Sequence, residues 1–141
     1  MKRIVLISCV SKKRSVSSPA KDLYISSLFQ KNLAYARILK PDQIFILSAR
    51  YGLVDLEEVI APYNVTLNTM KAPERREWAS RVLSQLSSRA DLTRDEFIFL
   101  AGNRYRENLL PHFAHYKIPL EGLKIGEQLH RLTEMIGSNH E

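Results

Sequence analysis

Ile4-Val5-Leu6-Ile7 opens the chain with four apolar residues in a row, three of them β-branched. A strand with one face in water alternates apolar and polar residues. An unbroken run signals burial on both faces, as in a parallel sheet. Ile44-Phe45-Ile46-Leu47 and Phe97-Ile98-Phe99-Leu100 have the same character. Helical signals separate the three runs. Ser18-Pro19 suits a helix entry, with Ser as cap and Pro at the first helical position. That helical region reaches about Leu39, with a candidate interruption at Ser26-Ser27 and a stop at Pro41. Pro73 to about Arg89 is the clearest helix. Trp78, Ala79, Val82, Leu83 and Leu86 share one side of it, and Glu74 and Arg89 favour the dipole at its two ends. A further helix begins near Arg104, with Pro111 as its kink or restart. The last places Ile125, Leu129, Leu132 and Ile136 on one stripe. Ile118-Pro119-Leu120 is the candidate fourth strand, an edge strand because of its proline. Ser48 to Met70 reads as a long, packed segment with few helical signals. This alternation predicts a three-layer α/β/α sandwich around a short parallel sheet, in a single domain over residues 1–136 with a frayed tail over 137–141.

The chain has 141 residues, with 21 Lys and Arg against 15 Asp and Glu. The formal excess of six positive charges favours anionic partners such as phosphates. The single cysteine, Cys9, excludes an internal disulfide and suits a reducing compartment. It reads as a small buried residue rather than a nucleophile. No apolar run approaches the roughly 20 residues of a membrane helix. The expectation is a cytoplasmic protein with no membrane partner. The four histidines lack metal-binding spacing, and GxGxxG and GxSxG are absent, so no metal and no cofactor is expected.

Open α/β sheets bind ligands beyond the carboxyl ends of their strands. The polar segments that follow the three apolar runs are therefore the candidates, and they are expected to converge on one crevice. After the first run come Ser11, Lys12, Lys13 and Arg14, a hydroxyl and cations suited to phosphate. A solvated basic turn is the plainer alternative. After the second come Arg50, Tyr51 and Gly52, able to bind phosphate, stack and turn, then Asp55, Glu57 and Glu58. A carboxylate held there, Asp55 or Glu58, can orient water or offset charge on a sugar ring. Ion pairing with nearby arginines is the alternative for each. Tyr63-Asn64 offers an aromatic beside an amide, or a packed turn. After the third run come Gly102, Asn103, Arg104 and Tyr105, either a base-reading turn or a capped helix. Glu127 reaches the crevice or favours its own helix start.

The segments LISCVSKKR (6–14), PAKDLYISSLFQKNLAYA (19–36), FILSARYGLVDLEEVIAPYN (45–64), ERREWASRVLSQL (74–86), FLAGNRYRENLLP (99–111) and PLEGLKIGEQL (119–129) together resemble a bacterial and phage family of unknown function. The first segment is also similar to the uracil-DNA glycosylase-like domain of archaeosine synthase. That similarity implies an approximately four-stranded parallel sheet of order 2-1-3-4 and a base-binding crevice. The chain departs from the family pattern at Ala61 and Asn64, where carboxylates are common. If those acids act in relatives, this chain relies on Asp55 or Glu58, or lacks the activity.

The leading expectation is an enzyme that cleaves an N-glycosidic bond in a nucleotide or nucleic acid. Lys12, Lys13, Arg50 and Arg104 would hold phosphate, Tyr51 or Tyr63 would stack on the base, Asn103 would read it, and Asp55 or Glu58 would act on water or the sugar. On duplex DNA the base would have to leave the stack. A non-catalytic nucleotide- or nucleic-acid-binding module and a base-modifying transferase are the alternatives.

Overall fold

The computed structural model describes residues 1–8 and 12–137. Cys9 and Ser11, singled out above, lie outside these residues, as does the chain beyond Gly137.

The fold is mixed α/β around a mostly parallel five-stranded sheet. Its strands are β1 (Arg3–Ser8), β3 (Gln43–Ser48), β4 (Gly52–Asp55), β6 (Glu96–Leu100) and β7 (His115–Lys117). A two-stranded ribbon pairs β2 (Ser18–Pro19) with β5 (Val59–Ile60). The large sheet runs β4-β3-β1-β6-β7, and only β4 is antiparallel to its neighbour. β1 lies at the centre, where Leu6 pairs with Phe45 on one side and Phe99 on the other. All four residues from Ile4 to Ile7 are fully buried. Successive side chains point to opposite faces, so neither face of β1 is open to water.

The helices are α1 (Ala20–Leu23), α2 (Ser27–Ile38), α3 (Ala72–Ser87), α4 (Asn103–Arg106) and α5 (Ile125–Gly137). α2 packs on β1 and against α5, and α3 packs on β4. The Ser26 side chain accepts the Phe29 N–H and caps α2. In α3, Pro73 stands in the first turn, and Glu74 accepts the Lys71 N–H at 3.3 Å. Trp78, Ala79, Val82 and Leu86 are its buried face.

Four expectations need correction. Ser18-Pro19 does not cap a long helix. It pairs with Val59 and Ile60, and a single turn of helix follows before the break at Tyr24. The outer strand is His115–Lys117 rather than Ile118–Leu120, because pairing with β6 ends at Lys117 opposite Ile98, before Pro119. Ser48–Met70 is not strand-free. It contains β4, which adds an antiparallel fifth strand beside the four parallel ones, and β5, which pairs with β2 outside the large sheet. Pro111 does not kink α4, which ends at Arg106; it stands instead in the first turn of a separate 3-10 helix over Leu110–His112, the restart rather than the kink.

The hairpin between β3 and β4 has a simple local cause. Ser48 Oγ accepts the Tyr51 N–H at 3.0 Å, and Gly52 adopts φ +77°. A three-residue loop closed by a left-handed residue is a common hairpin solution. α3 secures it from above: the Trp78 indole N–H donates to the Ser48 carbonyl at 2.8 Å, and Gln85 Oε1 accepts the Leu53 N–H at 2.9 Å.

Candidate functional site

β1, β3 and β6 are parallel neighbours, so their carboxyl ends share one rim of the sheet. The turns after β1 and β6 touch there: the Gly102 N–H donates to Ser8 Oγ at 3.2 Å. Two cavities are lined by residues that follow these strands in sequence, 12–15 after β1 and 101–103 after β6.

The first, about 430 Å³, is cationic. It is lined by Lys12, Lys13, Arg14 and Ser15 on one side and by residues 62–66 on the other. The basic segment is held by backbone bonds, Arg14 N–H to Leu23 carbonyl at 2.8 Å and Ile25 N–H to Lys12 carbonyl at 3.0 Å. Lys13 Nζ lies 4.5 Å from the centre of the Tyr63 ring. Tyr63 is itself buried and shares a 2.6 Å hydrogen bond with the Tyr24 hydroxyl. A cation over a phenol ring is stabilised by the ring quadrupole, which fixes Lys13 and occupies a ring face that a base would need.

The second cavity, about 680 Å³, is largely apolar. Phe99, Leu100, Leu120, Leu123 and Leu129 supply much of its wall, with polar groups from Ser8, Asn32, Asn68, Gly102, Asn103 and Gln128. Its volume lies in the usual range for small-molecule sites. The two cavities share a partition. Residues 62–66 line the first and Asn68 lines the second. Between them, Thr66 Oγ1 and the Leu67 N–H both approach the Tyr105 hydroxyl at 3.4 Å. Tyr105 is buried against Trp78, their rings edge to face at 5.6 Å.

The structure distributes the expected site residues unevenly. Lys12, Lys13, Tyr63 and Asn64 line the cationic cavity, and Gly102, Asn103 and Tyr105 line the apolar one. Arg50, Tyr51, Gly52, Asp55, Glu58, Arg104 and Glu127 line neither. β4 runs antiparallel to β3 and sets Asp55 opposite Phe45. That carries Asp55 three residues, about 10 Å, back from the rim. There it forms a forked ion pair with Arg89, at 3.0 and 3.3 Å. The same pair pushes the Arg89 pKa further above its ordinary value. Glu58 Oε1 accepts the Asp55 N–H at 3.4 Å, and its carbonyl accepts the Ala20 N–H. Arg50 lies over the Tyr51 ring, and its carbonyl accepts a bond from Arg81. Arg104 is exposed, 3.9 Å from Glu107. Glu127 accepts the Lys124 N–H at 2.9 Å and so serves the start of α5.

Among the described residues no carboxylate lines either cavity. None of their His, Cys, Asp and Glu side chains cluster to hold a metal ion, and no helix is long and apolar enough to cross a membrane. Sequence reasoning passed over Asn32, Asn68 and Gln128. A signal for Asn32 was present: it interrupts the apolar stripe of Phe29, Leu33 and Ala36 on α2. A polar residue at a core position of a helix asks for a partner.

No curated protein and no solved structure matches this chain. Residues 4–134 match the model of a family of unknown function (DUF6884), and the chain belongs to that family.

Proposed function

We propose that this protein binds a nucleotide, free or within a strand, at the carboxyl rim of its sheet. The observation that carries the reading is the pairing of two unlike cavities across one partition. Lys12, Lys13 and Arg14 supply charge for phosphate on one side. On the other side is an apolar chamber with amide groups, suited to a planar base. The net charge of the chain, +6, would draw an anionic ligand in. A cytoplasmic setting agrees with such a ligand and with the lone cysteine.

N-glycosidic cleavage is the second reading. Counted in chain order, the parallel strands β1, β3, β6 and β7 lie 2-1-3-4, which supports the glycosylase-like comparison. Asp55 and Glu58 line neither cavity, which counts against their acting on a bound sugar. The binding reading is therefore preferred.

Titration of a labelled single-stranded oligonucleotide and of the four nucleoside 5′-monophosphates, at rising salt, tests the proposal. Binding that weakens steadily with salt is expected. Absence of binding at low salt sinks the reading. Chromatography of the same mixtures for released base decides between binding and cleavage.

A further inference from the structure

Arg106 ends α4, is half-buried and lines the second cavity, to which the described residues contribute no carboxylate. Its Nη1 donates to the Ala101 carbonyl at 2.7 Å. That carbonyl is one acceptor for a group with five N–H donors, and it carries no counter-charge. None of the ion pairs among the described residues includes Arg106. The comparable half-buried cations differ. Arg75 pairs with Glu107 at 2.9 Å, and Lys21 pairs with Glu57 at 2.7 Å. Ser8 lines the same cavity, and its Oγ accepts the Gly102 N–H at 3.2 Å. The Ala101–Gly102 peptide is thus held at its carbonyl by Arg106 and at its N–H by Ser8. This ties the guanidinium to the turn directly after β6.

We propose that Arg106 is a second anion-binding residue, taking a phosphate on the 3′ side of a nucleotide whose 5′ phosphate is held by Lys12 and Arg14. This deepens the nucleotide reading and rests on it. A 5′-monophosphate seated in the cationic cavity brings no anion to the other side of the partition. A base offers Arg106 acceptors but no charge. A second phosphate offers both, in the forked geometry that suits a guanidinium. The ligand class is therefore a nucleotide phosphorylated on both sides of its sugar. A nucleoside 3′,5′-bisphosphate has this form, and so does each internal residue of a strand.

Calorimetric titration at one fixed ionic strength tests the assignment. Each nucleoside 3′,5′-bisphosphate is compared with the 5′-diphosphate of the same nucleoside, which carries two phosphates on the 5′ side alone. The wild type is expected to bind the bisphosphate more tightly. Arg106→Gln is expected to weaken the bisphosphate by about tenfold more than the diphosphate. Loss of one charge from the chain would weaken both alike, so an equal loss, or none, overturns the role of Arg106 and leaves the nucleotide reading standing. That is the result expected if Arg106 only braces the Ala101 carbonyl. Failure of the 5′-monophosphates and of both doubly phosphorylated series to bind overturns both readings. If Arg106→Gln does not fold, the wild-type comparison decides alone: a bisphosphate bound no better than the diphosphate sinks the proposal. A 5′-phosphorylated dinucleotide separates the two sources of the ligand. It gains as the bisphosphate does if the site takes a strand, and does not if the site takes the free bisphosphate.

Discussion

Asp95 holds the amino-terminal edge of the sheet by accepting two backbone N–H bonds, from Lys2 and from Asp91, each at 2.8 Å. It is buried, and these bonds hold its pKa below the ordinary carboxylate range. The neighbouring Glu96 is lowered chiefly by its bond to Arg3. A folded-state value below the unfolded one gives stability that is complete above the unfolded pKa, near 4. It fades as pH falls through the folded value. The urea midpoint should therefore drop below about pH 4, and Asp95→Asn should flatten that drop. Asp95→Ala should cost about 1–3 kcal/mol at neutral pH, because it strands two donors. Asp55 differs. Its ion pair with Arg89 is nearly half exposed, so Asp55→Asn should cost at most about 1 kcal/mol. Nucleotide affinity should stay unchanged in that variant, and a loss of more than tenfold would return Asp55 to the site. The sequence showed Asp55 as an acid in a loop. It did not show that the loop is a strand that turns away from the rim. Nor did it show that Lys13 lies over the Tyr63 ring, a contact made across 50 residues.

Elements were legible where burial was two-sided. β1, β3 and β6 stood out because every residue of their cores is apolar, and α3 because its buried side repeats with helical period. β4 was hidden because it is short and half polar, Gly52-Leu53-Val54-Asp55, with alternate residues buried. β7 was hidden because all three of its residues are exposed at the sheet edge. The hairpin itself yields a sharp expectation. A Cβ on Gly52 would clash with Gln85 Oε1 and sit in a left-handed conformation. Gly52→Ala should therefore destabilise by about 1–2 kcal/mol from the backbone alone, and by more if Gln85 releases the Leu53 N–H. Chemical denaturation checks this. An unchanged midpoint would mean that the turn tolerates rearrangement.

Charge acts at the scale of the whole molecule. Lys12 and Arg14 are exposed at the cationic cavity, while Lys13 is partly packed on aromatic rings. Removing either exposed cation should weaken oligonucleotide binding and make the slope of log K against log salt shallower by about 0.7. A slope indifferent to both substitutions would place the anion elsewhere. That β1, β3 and β6 end on a common rim was legible, because neighbouring parallel strands run the same way. Which turns would meet was not. That depended on β4 reversing direction, and on residues 62–68 lying between the two chambers.

The Thr66–Leu67 partition has a consequence for how occupancy of one chamber is felt by the other. Thr66 Oγ1 and the Leu67 N–H both approach the Tyr105 hydroxyl, and the Asn68 N–H and the Met70 N–H bond back to Thr66 and Leu67. A molecule long enough to straddle this divider would bind its second half at a high effective concentration once the first is seated. It would also clamp the divider. Amide hydrogens over residues 64–68 should then exchange more slowly with a straddling ligand than with phosphate or free base, even at equal saturation.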